Sequence, residues 1–162
     1  MTRYSTIRLY HGKLKFSAGH FTVFSSDRRE RLHGHNYTLE AAFVARVDDN
    51  GMTRDYRTFK SKLKTLCDQL NTRFLLPENS PYLKIFHEGD HIHVDFAGKR
   101  MSLLKDDVLI LPLTNITLEE LSYWFVQQLS ADDVFMASND IRSMSIQVYN
   151  GVEQSAESRW EL

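Results

Sequence analysis

His33 and His35 stand two apart in a segment that alternates in polarity, with His33, His35, Tyr37, Leu39, Ala41 and Phe43 in one series and Asn36, Thr38 and Glu40 in the other. On a β-strand both imidazoles then project from one face, about 7 Å apart along the chain. His20 closes an earlier alternation over residues 14–20, sharing a side with Leu14, Phe16 and Ala18 while Lys15, Ser17 and Gly19 face the other way. Pairing of these two strands across residues 21–32 brings the three imidazoles to one end of a sheet. Three neutral histidines suit Zn²⁺ and leave a fourth coordination position open, the mark of a catalytic rather than a structural zinc site. Gly34, between two of them, lets backbone or ligand approach closely. His91 and His93 repeat the spacing without a third partner and read as ordinary strand residues; His11 and His87 carry no signal.

The elements that must position these groups follow from periodicity. Residues 25–31 are polar and read as a loop. Over 55–70, Phe59, Leu63, Leu66, Cys67 and Leu70 recur at helical spacing and predict an amphipathic helix, with Cys67 a buried thiol on its apolar stripe. Short strands are expected at 83–87 and 91–96, turned at 88–90 and continued over 100–104 after Gly98. Thr117 and Glu120 have the spacing of a capping box at the start of a second helix, whose buried stripe is Leu118, Leu121, Phe125, Val126 and Leu129. Two last strands fall at 141–149 and 155–161. The order predicts an α+β fold, an antiparallel sheet with both helices on one face and a small inserted hairpin.

The 162 residues, with 20 basic against 21 acidic side chains and 42% apolar content, predict a single domain spanning 1–162. Balanced charge removes the usual footprint of a nucleic-acid or anionic-lipid partner. One cysteine excludes an internal disulfide framework. No apolar run approaches a membrane span, and residues 1–10 lack the core of a secretory signal, so a cytoplasmic location is expected.

The sequence Phe16-Ser-Ala-Gly-His20, followed by Glu30-Arg-Leu-His33-Gly-His35-Asn36-Tyr37, resembles the paired signatures of the 6-pyruvoyl-tetrahydropterin synthase and 6-carboxytetrahydropterin synthase family. The resemblance continues through Gly51-Met52, Asp55-Tyr56, Asn115-Ile-Thr117-Leu-Glu119 and Val152-Glu153. It implies a tunnelling fold: a four-stranded antiparallel sheet with two helices on one face, joined edge to edge into barrels, as a homohexamer. It also implies a zinc ion held by His20, His33 and His35, and a small-molecule pterin substrate. Glu153 matches the glutamate that grips the pterin ring, while Thr117 and Glu119 match a segment bordering it.

The pattern departs from the family at two places. Family members that make pyruvoyl or carboxy pterins carry a cysteine four residues before the first histidine of His-Gly-His, where this chain has Arg29. Their Asp-His pair after the first helix is replaced by Asn71-Thr72, neither of which titrates near neutral pH. Glu30 matches instead a Glu-x-x-His-Gly-His variant resembling enzymes that cleave the dihydroneopterin side chain to 6-hydroxymethyl-dihydropterin, with Glu30 as the base. The expected function is a zinc-dependent lyase acting on 7,8-dihydroneopterin or its triphosphate. The alternatives are a 6-carboxy- or 6-pyruvoyl-tetrahydropterin synthase, and a pterin- or purine-binding member without catalysis. For Glu30 itself, the competing expectation is a surface ion pair within Asp27-Arg28-Arg29-Glu30-Arg31.

Overall fold

The computed structural model describes residues 2–162, with the backbone alone at residue 11. In chain order its elements are β1 (Arg3–His20), β2 (His33–Val47), α1 (Tyr56–Leu70), β3 (Arg73–Pro77), β4 (Lys84–Glu88), β5 (His91–Phe96), β6 (Lys99–Leu104), β7 (Val108–Leu111), α2 (Leu118–Ser130), α3 (Asp133–Ser138), β8 (Ile141–Asn150) and β9 (Gln154–Glu161). The four antiparallel strands expected from the sequence are β1, β2, β8 and β9. Two short parallel strands extend them into a six-stranded sheet of order β7-β3-β1-β2-β8-β9. The expected hairpin is a three-stranded antiparallel sheet, β4-β5-β6, and the short α3 is an addition to the two expected helices.

β1 is longer than its visible alternation because a bulge inverts its parity. The register runs Tyr10↔Glu40, then resumes at Lys15↔Thr38. Before the bulge Ile7 and Leu9 are buried; after it, Leu14, Phe16, Ala18 and His20 are. A slip of odd parity would expose the second set, and the extra residues absorb it, with Gly12 at φ +68° making the bend. One face of the sheet therefore stays apolar throughout, and the helices cover it. Phe59 of α1 packs on Phe43 at 4.8 Å between ring centroids, and Phe125 of α2 on Phe16 at 5.9 Å.

At the start of α2 the capping box is only half formed. Thr117 Oγ1 accepts from the Glu120 amide at 3.3 Å, but the Glu120 carboxylate accepts from the amide and hydroxyl of Thr114 instead of closing back on Thr117. A second apolar cluster, Phe21, Val23, Leu76, Ile92, Val94, Phe96 and Val108, seats the β4–β6 sheet against the edge of the main one. The segment after His20 is thereby pinned between two cores.

Candidate metal centre

The β1–β2 register places His20 opposite His33 and Ala18 opposite His35, with Gly19 facing Gly34 between them. A Cβ on Gly34 would sit 3.1 Å from the Ala18 carbonyl oxygen, so the close approach anticipated at this glycine is real. The imidazoles converge more tightly than strand spacing alone requires: ring centroids are 4.6 Å apart for His20 and His33, 4.7 Å for His33 and His35, and 5.1 Å for His20 and His35. One ligand nitrogen from each lies within 4.8 Å of the others.

Two of the rings are oriented by backbone carbonyls. His20 Nδ1 lies 2.8 Å from the Ile116 oxygen and His33 Nδ1 lies 2.7 Å from the Arg31 oxygen. A carbonyl only accepts, so each Nδ1 donates and each Nε2 is left with a lone pair. His20 is 6% exposed, and its Nε2 is buried with no hydrogen-bond partner among the described residues. Buried polar atoms rarely go unpartnered, and a lone pair aimed at two other imidazoles fits a metal ion. Burial, reinforced by the neighbouring histidines, lowers the pKa of His20 and His35 below the ordinary imidazole value. The neutral, ligating form is therefore favoured. Buried Tyr37 lies beside the cluster, 5.6 Å from His35 and 6.3 Å from His20 between ring centroids.

Glu30 stands at the rim. Its Oε2 accepts from the Thr22 amide at 3.0 Å and lies 3.7 Å from His33 Nε2. Partial burial pushes its pKa up, but the hydrogen bond from Thr22 and the nearby histidines outweigh this and hold it below the usual carboxylate range. It is thus ionised at neutral pH. The ion pair with flanking arginines does not form among the described residues. Arg29 instead lies over the rings of Phe21 and Phe96, at 4.9 and 5.8 Å, and donates to the Glu30 carbonyl at 2.7 Å. Asn71 and Thr72 likewise serve the backbone: Asn71 Oδ1 accepts from the Ser17 amide, and the Thr72 amide donates to the Ser17 carbonyl.

Thr117 caps α2 beside the carbonyl that orients His20, and Glu119 is exposed in the first turn of that helix. Glu153 is exposed in the turn between β8 and β9. The pairing of Tyr37 with Asn150 puts that turn at the histidine end of the sheet. Sequence reasoning missed the role of Asn115. Its Oδ1 accepts from the amides of Val23 and Ile116, and its Nδ2 donates to the Val23 carbonyl at 2.8 Å. It ties the loop bearing Glu30 to the segment that orients His20; its only sequence signal was its place in the Asn-Ile-Thr motif.

Three converging imidazoles, two of them oriented by backbone carbonyls, at the end of an antiparallel sheet backed by helices, define a metal-ready site on an α+β scaffold. A profile of the 6-pyruvoyl tetrahydropterin synthase family matches residues 11–161, and the chain belongs to this family. A Methanocaldococcus jannaschii protein named "Putative 6-carboxy-5,6,7,8-tetrahydropterin synthase" is 24% identical over 147 residues, covering 90% of each chain. The 6-pyruvoyl tetrahydropterin synthase of Plasmodium falciparum superposes with a TM-score of 0.91 at 26% identity, over 98% of this chain and 99% of that one. A variant of the Plasmodium vivax enzyme, described as a catalytic-residue mutant with glutamate replaced by cysteine, superposes at 0.92 with 24% identity over 99% of both chains. The tunnelling fold implied by the sequence is the fold observed.

Proposed function

We propose that the protein is a zinc-dependent lyase acting on the 6-side chain of 7,8-dihydroneopterin or its triphosphate and releasing 6-hydroxymethyl-7,8-dihydropterin. The observation that carries this reading is the ionised Glu30 carboxylate, 3.7 Å from His33 Nε2 at the rim of a converging His20, His33 and His35 set. Those histidines would hold the ion, which supplies acidification of side-chain hydroxyls. Glu30 takes the 2′-hydroxyl proton. As C2′ becomes a carbonyl, the C1′–C2′ bond breaks and its electron pair moves into the ring imine; protonation at C1′ then completes the product. Glu153 accepts hydrogen bonds from the pterin ring, and Thr117 and Glu119 border it. A glutamate named as catalytic in the P. vivax relative supports the role given to Glu30.

The whole chain acts as one cytoplasmic unit without nucleic-acid or membrane partners; among the described residues no helix is long and apolar enough to cross a membrane. Assembly into a homo-oligomer is supported by free sheet edges, and the number six is what the family resemblance implies. Among the described residues the outer edge of β9 is unpaired, and β1 meets β3 only at Ala18 and Gly19. Edge-to-edge closure removes such edges.

A second reading, 6-carboxytetrahydropterin synthase, is favoured by the name of the archaeal relative and opposed by Arg29 and Asn71-Thr72 in place of the cysteine and the Asp-His pair. The deciding experiment incubates zinc-loaded protein with dihydroneopterin triphosphate and identifies products by mass. The expected result is 6-hydroxymethyl-dihydropterin, with Glu30→Gln retaining zinc and losing about 10²–10⁴ in rate. A carboxy or pyruvoyl product selects the second reading, and pterin binding without turnover selects a non-catalytic binding protein.

A further inference from the structure

β5 alternates along its length: Ile92, Val94 and Phe96 are buried in the second apolar cluster, while His91, His93 and Asp95 belong to the opposite face of the three-stranded sheet. The antiparallel registers set Glu88 of β4 across from His91, and Ser102 of β6 across from His93. The spacing of the two histidines lacked a third partner in the sequence, and the fold supplies one. Glu88 Oε2 lies 3.0 Å from His93 Nε2, and on the other side of the same ring Nδ1 lies 2.7 Å from Ser102 Oγ. The His91 ring is exposed and parallel to that of His93 within 12°, at 6.1 Å between centroids.

The His93 ring is fixed from three sides, since it also packs on Phe86 at 5.3 Å between centroids, and its side chain is only 14% exposed. A carboxylate only accepts, so a proton bridges Nε2 and Glu88, and in the neutral ring the Ser102 hydroxyl donates to Nδ1. A hydroxyl also accepts. Rotation of the Ser102 O–H lets Nδ1 carry the ring proton and leaves on Nε2 a lone pair directed at Glu88, with no change in net charge. A partner on the second nitrogen is what orients a metal-ligating histidine. Two ligand atoms about 2.1 Å from one ion and at right angles lie about 3.0 Å apart, whereas a tetrahedral angle spreads them to about 3.4 Å. The 3.0 Å gap between His93 Nε2 and Glu88 Oε2 thus matches the bite of a tetragonal ion.

We propose that Glu88, His91 and His93 form a second metal site, separate from the His20, His33 and His35 set and selective for a tetragonal divalent ion, Cu²⁺ above all. Two imidazoles and a carboxylate suit this ion, which also heads the affinity series for nitrogen and oxygen donors. Among the described residues only His20, His33 and His35 already bring three ligand atoms within 4.8 Å of one another. Here His93 and Glu88 are in place, and the exposed His91 ring turns about its Cα–Cβ bond to supply the second nitrogen. The fourth position opens to solvent and takes water. The site does not depend on the lyase reading, because none of its residues belongs to the machinery of that reaction.

The test adds one equivalent of Cu²⁺ to the zinc-loaded full chain and, in parallel, to the His33→Ala/His35→Ala variant, and reads binding by calorimetry and electron paramagnetic resonance. Both should take up one copper per chain with an axial spectrum split by two nitrogens, and the parent should release no zinc. His91→Ala should drop one nitrogen from the splitting, and His91→Ala/His93→Ala should lose the spectrum. Ser102→Ala, which touches no ligand atom, should weaken binding about tenfold or more. Because His91 is exposed, its single variant carries the test if the double variant fails to fold. Copper that displaces zinc one for one, a spectrum unchanged in His91→Ala, or no copper bound by the His33→Ala/His35→Ala variant overturns the site. Equal affinity in Ser102→Ala overturns the orienting role of its hydroxyl.

Discussion

The His20 imidazole donates from Nδ1 to the carbonyl of Ile116, 96 positions along the chain, at 2.8 Å. This bond selects the tautomer that leaves Nε2 free toward His33 and His35, so the candidate metal centre is set by the segment leading into α2 as much as by the hairpin that carries the three histidines. Asn115, which also holds Val23 across the same junction, is the residue on which that coupling depends.

Asn115→Ala should therefore act on both stability and metal affinity. Three hydrogen bonds are lost, at about 1 kcal/mol net each, for a destabilisation of roughly 2–3 kcal/mol in urea unfolding. Zinc titration should show weaker binding although no ligand has been touched. Unaltered affinity in a folded variant would separate the Ile116 carbonyl from Asn115.

Zinc should raise the thermal midpoint of the chelator-treated protein. At a free concentration one hundred times Kd, binding to the native state contributes about 2.7 kcal/mol, or roughly 5–10 °C for a domain of this size. Calorimetry of a His33→Ala/His35→Ala variant should show no such shift.

At Gly19 an added Cβ would meet the Phe74 ring at 2.7 Å. Gly19→Ala should cost about 1–3 kcal/mol by overpacking, read from denaturant midpoints. Adding Phe74→Leu should recover part of that loss, and a Gly19→Ala protein as stable as the parent would mean that the ring moves freely.

Cys67 is fully buried on α1, and burial pushes its thiol from 9.0 up to about 12. The native protein should resist a disulfide reagent at pH 8 and react once unfolded. Because the unfolded thiol ionises first, the Cys67 contribution to stability is complete below about pH 9 and is lost as pH rises towards 12. The slope is at most about 1.4 kcal/mol per pH unit. Cys67→Ala should remove this component of the alkaline slope when unfolding is compared at pH 8 and 10.

The histidine trio was legible because its signal is local: two alternations of period two, ending in imidazoles, with a loop between them. What escaped was whatever depended on distant partners or broken periodicity. The first half of β1 was hidden because the bulge shifts its buried positions from odd to even. β3 and β7 are runs of five and four residues, too short for a period to emerge. α3, of six residues, is equally brief. The work of Arg29, Asn71 and Asn115 is on aromatic rings and backbone groups that no spacing rule connects to them.

All three imidazoles belong to positions 20–35, on a single hairpin whose strands pair as His20 with His33. A closed loop this short forms early in folding, well before β8 can dock on β2 or the Ile116 carbonyl arrives. An ion present at that stage meets its ligands on a nascent hairpin and can template the pairing of β1 with β2. Zinc held by these histidines at that stage would make refolding in its presence start from a different ensemble than refolding without it, and the order of metal capture and chain collapse would become a property of the sequence between those two histidines.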